Sequence, residues 1–178
     1  MSGDPVIAAV LDLFAADDGG LPEICLHGLS GPEVEDIYQI LRQKTRFLVG
    51  SPVFRHRLER CDKPLDSVPN AARLVVQGEA DPFHFLCRGI TVDGVPLPDL
   101  GVFVLDNAVA LDYERGPAWE APQVAGLFRL LRELFARIAR PRVSYDADNG
   151  RDESDRFTRT LRMFCDWHSS ALGSSLGR

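Results

Sequence analysis

Residues 83–113 read FHFLCRGITVDGVPLPDLGVFVLDNAVALDY, and the fold class turns on how this stretch is divided. Phe83, Phe85 and Cys87 alternate with His84, Leu86 and Arg88, the two-residue period of a strand with one buried face. Residues 102–105 and 109–113 are apolar runs of strand length that flank Asp106-Asn107, a plausible hairpin turn. Asp93-Gly94 is a stronger turn signal, because a two-residue hairpin loop needs positive φ at both central positions. Pro96 and Pro98 have no N–H to donate, which keeps their segment out of a central strand. Leu74, Val75 and Val76 are apolar as well and carry the β signal back toward residue 72. Strands that follow one another without intervening helices predict an α+β protein. Its expected form is an antiparallel β-meander over about residues 72–113, packed against roughly three to four helices.

Working outward, the helices declare themselves by spacing. Val124, Leu127, Phe128, Leu131, Leu134, Phe135 and Ile138 recur at three- and four-residue steps, and Pro141 ends the pattern. Ser30-Gly31-Pro32-Glu33 reads as a capping box that opens a second amphipathic helix through Val34, Ile37, Tyr38 and Leu41. Asp4-Pro5 starts a first helix, with Ile7, Val10, Leu11 and Phe14 on one side, and Asp17-Asp18-Gly19-Gly20 stops it. A last helix carries Phe157, Leu161, Phe164 and His168. Short strands are expected at residues 23–26, 53–58 and 143–145. One domain over residues 1–172 accounts for all of this, with residues 173–178 as a flexible C-terminal tail.

The chain has 178 residues, of which 45% are hydrophobic and 26% charged, so a core large enough to fold without disulfides or metal is available. The net charge of -6 lacks the basic footprint that nucleic acid or an anionic membrane requires. No apolar run reaches the length of a membrane span, and the acidic N-terminal segment lacks the basic start of a signal peptide. Cys25, Cys61, Cys87 and Cys165 are widely separated, as expected of reduced thiols in a cytoplasmic protein. Arginine outnumbers lysine, whose only two positions are Lys44 and Lys63; with the Ala and Gly content this suggests a bacterial coding sequence.

Each cysteine has a histidine near it in sequence: Cys25 with His27, His56 with Cys61, His84 with Cys87, and Cys165 with His168. Thiolate and imidazole are good zinc ligands, but the spacings differ and no C-x-x-C knuckle is present, so no metal or other cofactor is expected. His84 and Cys87 fall on opposite faces of a strand, whereas Cys25 and His27 share one. The acidic run from Asp146 to Gly150 fails the calcium-loop pattern, because Arg151 stands where glycine is needed. Phosphate-loop, dinucleotide and serine-hydrolase motifs are absent. Gly28 to Gly31 lacks the lysine of a nucleotide site and reads as a plain strand-to-helix turn. Arg129, Arg132, Arg137 and Arg140 lie off the apolar stripe and read as a solvated face.

The most individual stretch runs from Leu111 to Trp119. Asp112, Tyr113, Glu114, Arg115 and Trp119 place two aromatics, two acids and an arginine around a Gly-Pro turn, the residue types that anchor protein interfaces. The same composition also suits a core plug, with Trp119 inside and Arg115 paired with an acid. With these five residues as candidate partner contacts, the expected function is a non-catalytic protein-binding module. An inhibitor, immunity or adaptor protein is one specific form. The competing expectation is a small enzyme or ligand-binding protein whose site is assembled from distant residues such as Cys25, His27 and Asp112.

Overall fold

The computed structural model describes residues 5–16, 18–146 and 151–173, with side chains as far as Asp166. It is α+β. Among the described residues ten strands form one six-stranded antiparallel sheet and two separate hairpins, and three long helices pack on the sheet. In chain order the strands are β1 (Glu23–His27), β2 (Phe47–Leu48), β3 (Val53–His56), β4 (Cys61–Pro64), β5 (Phe83–Arg88), β6 (Thr91–Val92), β7 (Val95–Pro96), β8 (Leu100–Val104), β9 (Ala108–Asp112) and β10 (Arg142–Asp146). The helices are α1 (Pro5–Ala8), α2 (Asp12–Ala15), α3 (Gly31–Lys44), α4 (Ala71–Val76), α5 (Ala121–Phe135) and α6 (Arg151–Gly173). The large sheet runs β10-β1-β9-β8-β5-β2, so the expected meander supplies its centre as β5, β8 and β9.

The turn chemistry explains the meander. Asp93 and Gly94 both have positive φ, 49° and 80°, as the two-residue loop between β6 and β7 demands. That hairpin lies on α5, where Gly126 makes room: a Cβ there would sit 2.8 Å from a Leu97 methyl group. Between β8 and β9 the Leu105 N–H donates to the Ala108 carbonyl, and the Asn107 carbonyl accepts from Leu29. This second bond fastens the turn to the loop after β1.

Two expectations change. Residues 74–76 belong to α4 and not to the meander, which begins at Phe83. Three apolar residues cannot by themselves tell helix from strand. Here the Asn70 side chain accepts from the Arg73 N–H and caps a helix opened by two alanines, so cap and propensity decide. The first helix is also two short pieces, α1 and α2; Ile7, Val10 and Phe14 of its expected stripe are buried, Leu11 is only partly so, and Leu13 is buried as well. Asp4, Asp17 and residues 147–150 lie outside the described residues, as do the side chain of His168 and residues 174–178 of the expected tail over 173–178, whose first residue, Gly173, is the last of α6.

The helices cover one face of the sheet. Ile24 and Leu26 of β1, Phe83, Phe85 and Cys87 of β5, Leu100, Val102 and Val104 of β8, and Val109 and Leu111 of β9 all point into a common core. From α3, the Tyr38 ring meets Phe83 and Phe85 edge-on, at 5.9 and 5.8 Å. On α6, Phe157 stacks on Tyr145 of β10 at 4.4 Å, and Phe128 of α5 meets both Phe157 and Phe164. No helix among the described residues is long and apolar enough to cross a membrane.

Candidate functional site

The five residues from Asp112, the end of β9, to Trp119 do not lie together at a surface. Tyr113 and Trp119 are among the largest fully buried side chains. Phe14 stacks on Tyr113 at 4.8 Å, and Trp119 packs against both rings while its indole N–H donates to the Glu114 carbonyl at 2.9 Å. Arg115 is buried beside them, its guanidinium held by Asp18 at 2.8 Å and Glu153 at 3.2 Å. Among the described residues its Nε has no hydrogen-bond partner. The Tyr113 and Tyr145 hydroxyls lie 3.0 Å apart, and burial pushes both phenols above their ordinary range. This cluster joins the N-terminal segment, the end of β9 and the start of α6. Asp112, the last residue of β9, is partly buried, and Glu114 beyond it is exposed.

Asp112 belongs instead to the second face of the sheet, whose side chains lie outside the main core that the described helices build. The register places Ser144, Cys25, Ala110, Phe103 and His84 side by side across five strands of that face. Two polar groupings stand on it. His27 Nε2 lies 2.5 Å from Ser144 Oγ, and its Nδ1 lies 3.4 Å from Cys25 Sγ. Asp112 reaches across β8 to place a carboxylate oxygen 2.7 Å from His84 Nε2. Gly101 makes that reach possible, since a Cβ there would fall 2.1 Å from the carboxylate. Thiol, imidazole and carboxylate therefore share a face, as two separate groups on open ground.

Their chemistry is subdued. Burial, helped by the Glu23 carboxylate, pushes the Cys25 thiol up to about 11, so it stays protonated at neutral pH and is a poor nucleophile. The neighbour of His27 Nδ1 is that thiol, whereas an activating base needs a carboxylate or carbonyl to fix its tautomer. Cys87 faces the core, away from His84, and burial lifts its thiol to about 11 too. His56 and Cys61 are direct register partners in the β3–β4 hairpin, where His56 Nδ1 accepts the Glu59 N–H at 3.3 Å. Among the described residues no three His, Cys, Asp or Glu side chains converge to hold a metal.

A concave site lies elsewhere, where no motif marks it. The chain leaves α3 through Thr45 and Arg46, forms β2 at the edge of the sheet, turns at Gly50 with φ of 72°, and enters β3. The space between these pieces is an open cleft of about 570 Å³ lined by Arg42, Arg46, Phe47, Pro52, Val53 and Leu65, among others. Phe47 is 56% and Val53 44% exposed, which is high for side chains of this kind beside a cavity. The Arg46 guanidinium lies over the Phe47 ring, 5.1 Å from its centroid. Arg42 pairs with Asp66, and this bridge lies between the cleft and a smaller one of about 230 Å³ bordered by Tyr38, Gln39 and Pro69. The site draws on three chain segments, so its only local signal is an apolar dipeptide, Phe47-Leu48, after a basic helix end.

Comparisons with protein-family models, with curated proteins and with solved structures found no match for this chain.

Proposed function

We propose that the protein is a non-catalytic protein-binding module, and that its partner seats in the cleft between the end of α3, β2 and the β3–β4 hairpin. The observation that carries this reading is the exposure of Phe47 and Val53 at the mouth of a cavity beside an edge strand. A terminal strand has one row of backbone groups free to pair, and an extended partner segment can add to it. Apolar side chains beside the strand then take alternate side chains of that segment. Arg46, parked over Phe47, offers a charge to a carboxylate on the partner. Tyr113, Arg115 and Trp119, the anchor types in the sequence, serve the core and are not part of this surface. An inhibitor, immunity or adaptor role is a specific form of the same reading, and the net charge of -6 suits a partner with basic surroundings.

The test is a pair of substitutions, Phe47→Asp and Val53→Asp. Both positions are exposed, so stability should change by no more than about 0.5 kcal/mol. Each variant is expected to lose a partner that the native chain recovers stoichiometrically from its host. Recovery unchanged in both variants, or no stoichiometric partner for the native chain, contradicts the proposal.

A further inference from the structure

The second face of the sheet has an unusual pattern, independent of the cleft. An antiparallel sheet with one solvated face normally alternates apolar inside with polar outside. Here the middle of the outer face is apolar: Cys25, Ala108 and Ala110 form a small buried cluster of their own, with Phe103 and Leu105 packed against it. On one side of this strip, Asp146, Glu23 and Asp112 are direct cross-strand neighbours. Like charges in that relation cost stability unless something offsets them. On the other side the same three strands carry Arg142, His27 and Ala108.

We infer that this face binds a second copy of the chain, face to face, about a two-fold axis that runs across the strands through the row of Ser144, Cys25 and Ala110. The charge rows select that axis. A two-fold axis along the strands would set the acidic row against itself. Rotation about the axis across the strands lays each strand over its own copy in the opposite direction. Asp146 then meets Arg142 of the second copy, Glu23 meets its His27, and Asp112 meets its Ala108. The small side chains of the middle row let the two sheets approach within the usual spacing of about 10 Å. Symmetry makes every such contact twice, the signature of an isologous dimer.

The size of the face sets the strength. Five strands about 4.8 Å apart, each contributing about five residues, give a footprint of roughly 400 Å² per copy. With side-chain relief the total is on the order of 1,000 Å², the lower limit for a specific interface. The dimer is therefore weak and concentration-dependent.

Sedimentation velocity over a concentration series tests it on the full chain. Arg142→Asp places two acids together at each of two symmetric positions, and Asp146→Arg places two bases; either is expected to weaken association about tenfold or more. The double variant, Arg142→Asp with Asp146→Arg, restores the pairing and should recover the native association. Phe103→Glu, which introduces a charge into the apolar strip, should abolish the dimer, and Leu105→Glu serves if that variant fails to fold. A protein that stays monomeric throughout the series overturns the inference. So does a folded double variant that fails to recover. A dimer indifferent to both Phe103→Glu and Leu105→Glu overturns it too, and would point to pairing through the β10 edge.

Discussion

Arg115 shows how a single residue can be read two ways. It sits between two aromatic residues in a turn, which is interface composition, yet its guanidinium is buried and tied to Asp18 and Glu153. A buried charge is tolerable only with partners, and losing one member of such a set leaves the others badly placed. Asp18 and Glu153 keep partial access to water, so the penalty is less than for a fully enclosed pair. Arg115→Ala should destabilise the protein by about 2–3 kcal/mol, measured by urea unfolding. A loss below about 0.5 kcal/mol would place Arg115 among ordinary surface residues and contradict its role in joining α6 to the N-terminal segment. Trp119 and Tyr113 share the lesson. Large aromatics with a polar handle serve cores and interfaces equally, and only the position of Phe14, 99 residues or more away in sequence, decides between them. The cysteines were more legible: His84 and Cys87 lie on opposite faces, and Cys25 and His27 on the same one, as strand alternation requires.

At the scale of elements, period and capping carried most of the information. The stripe from Val124 to Ile138 became α5 as far as Phe135, short of Ile138 and of the expected stop at Pro141, and Asp93-Gly94 became a tight hairpin. The start of α3 did more than its sequence suggests. The Glu33 carboxylate accepts the Ser30 hydroxyl and backbone N–H at 2.7 Å each, and its other oxygen accepts the Ala139 N–H at 2.7 Å. One side chain thus opens α3 and also holds the chain that leaves α5. These bonds, led by the Ser30 hydroxyl, hold the Glu33 carboxyl below its ordinary value. A carboxyl lowered in the folded state stabilises it above the unfolded value of about 4.3, and that contribution is lost as pH falls through the lower folded value. Glu33→Gln should therefore lower the Tm at neutral pH, with the deficit relative to the native chain shrinking as the solution is acidified below that range. A deficit that stayed constant with pH would show that the charge is not what matters. Residues 71–76 were misread because an apolar triplet has no period, and the deciding group, the Asn70 cap, lies outside the triplet. β1 was recognisable as a strand, but its place between β9 and β10 was not, since pairing across more than 80 residues leaves no local trace.

For the whole molecule, the decisive feature is that one sheet has one covered face. Among the described residues every long helix contributes to the same core, and what lies outside it is the second face of the sheet, the terminal strands β2 and β10, and a cleft beside β2. The sequence could reveal the covered face, because burial imposes a period on each element. It could not reveal the cleft, whose walls come from α3, β2 and the turn before β3 and obey no common spacing. Composition drew attention to residues 112–119, but packing used the largest of them up; of the exposed apolar side chains that remain, Phe47 and Val53 line this cleft, while Met163 on α6 borders two smaller hollows.

Hydrogen–deuterium exchange on the protein with and without its host partner tests this assignment most directly. The account predicts that partner binding slows exchange across residues 45–54, including β2, while residues 112–119 are already protected in the free protein and change little. Strong new protection at residues 112–119, with residues 45–54 unaffected, would contradict it.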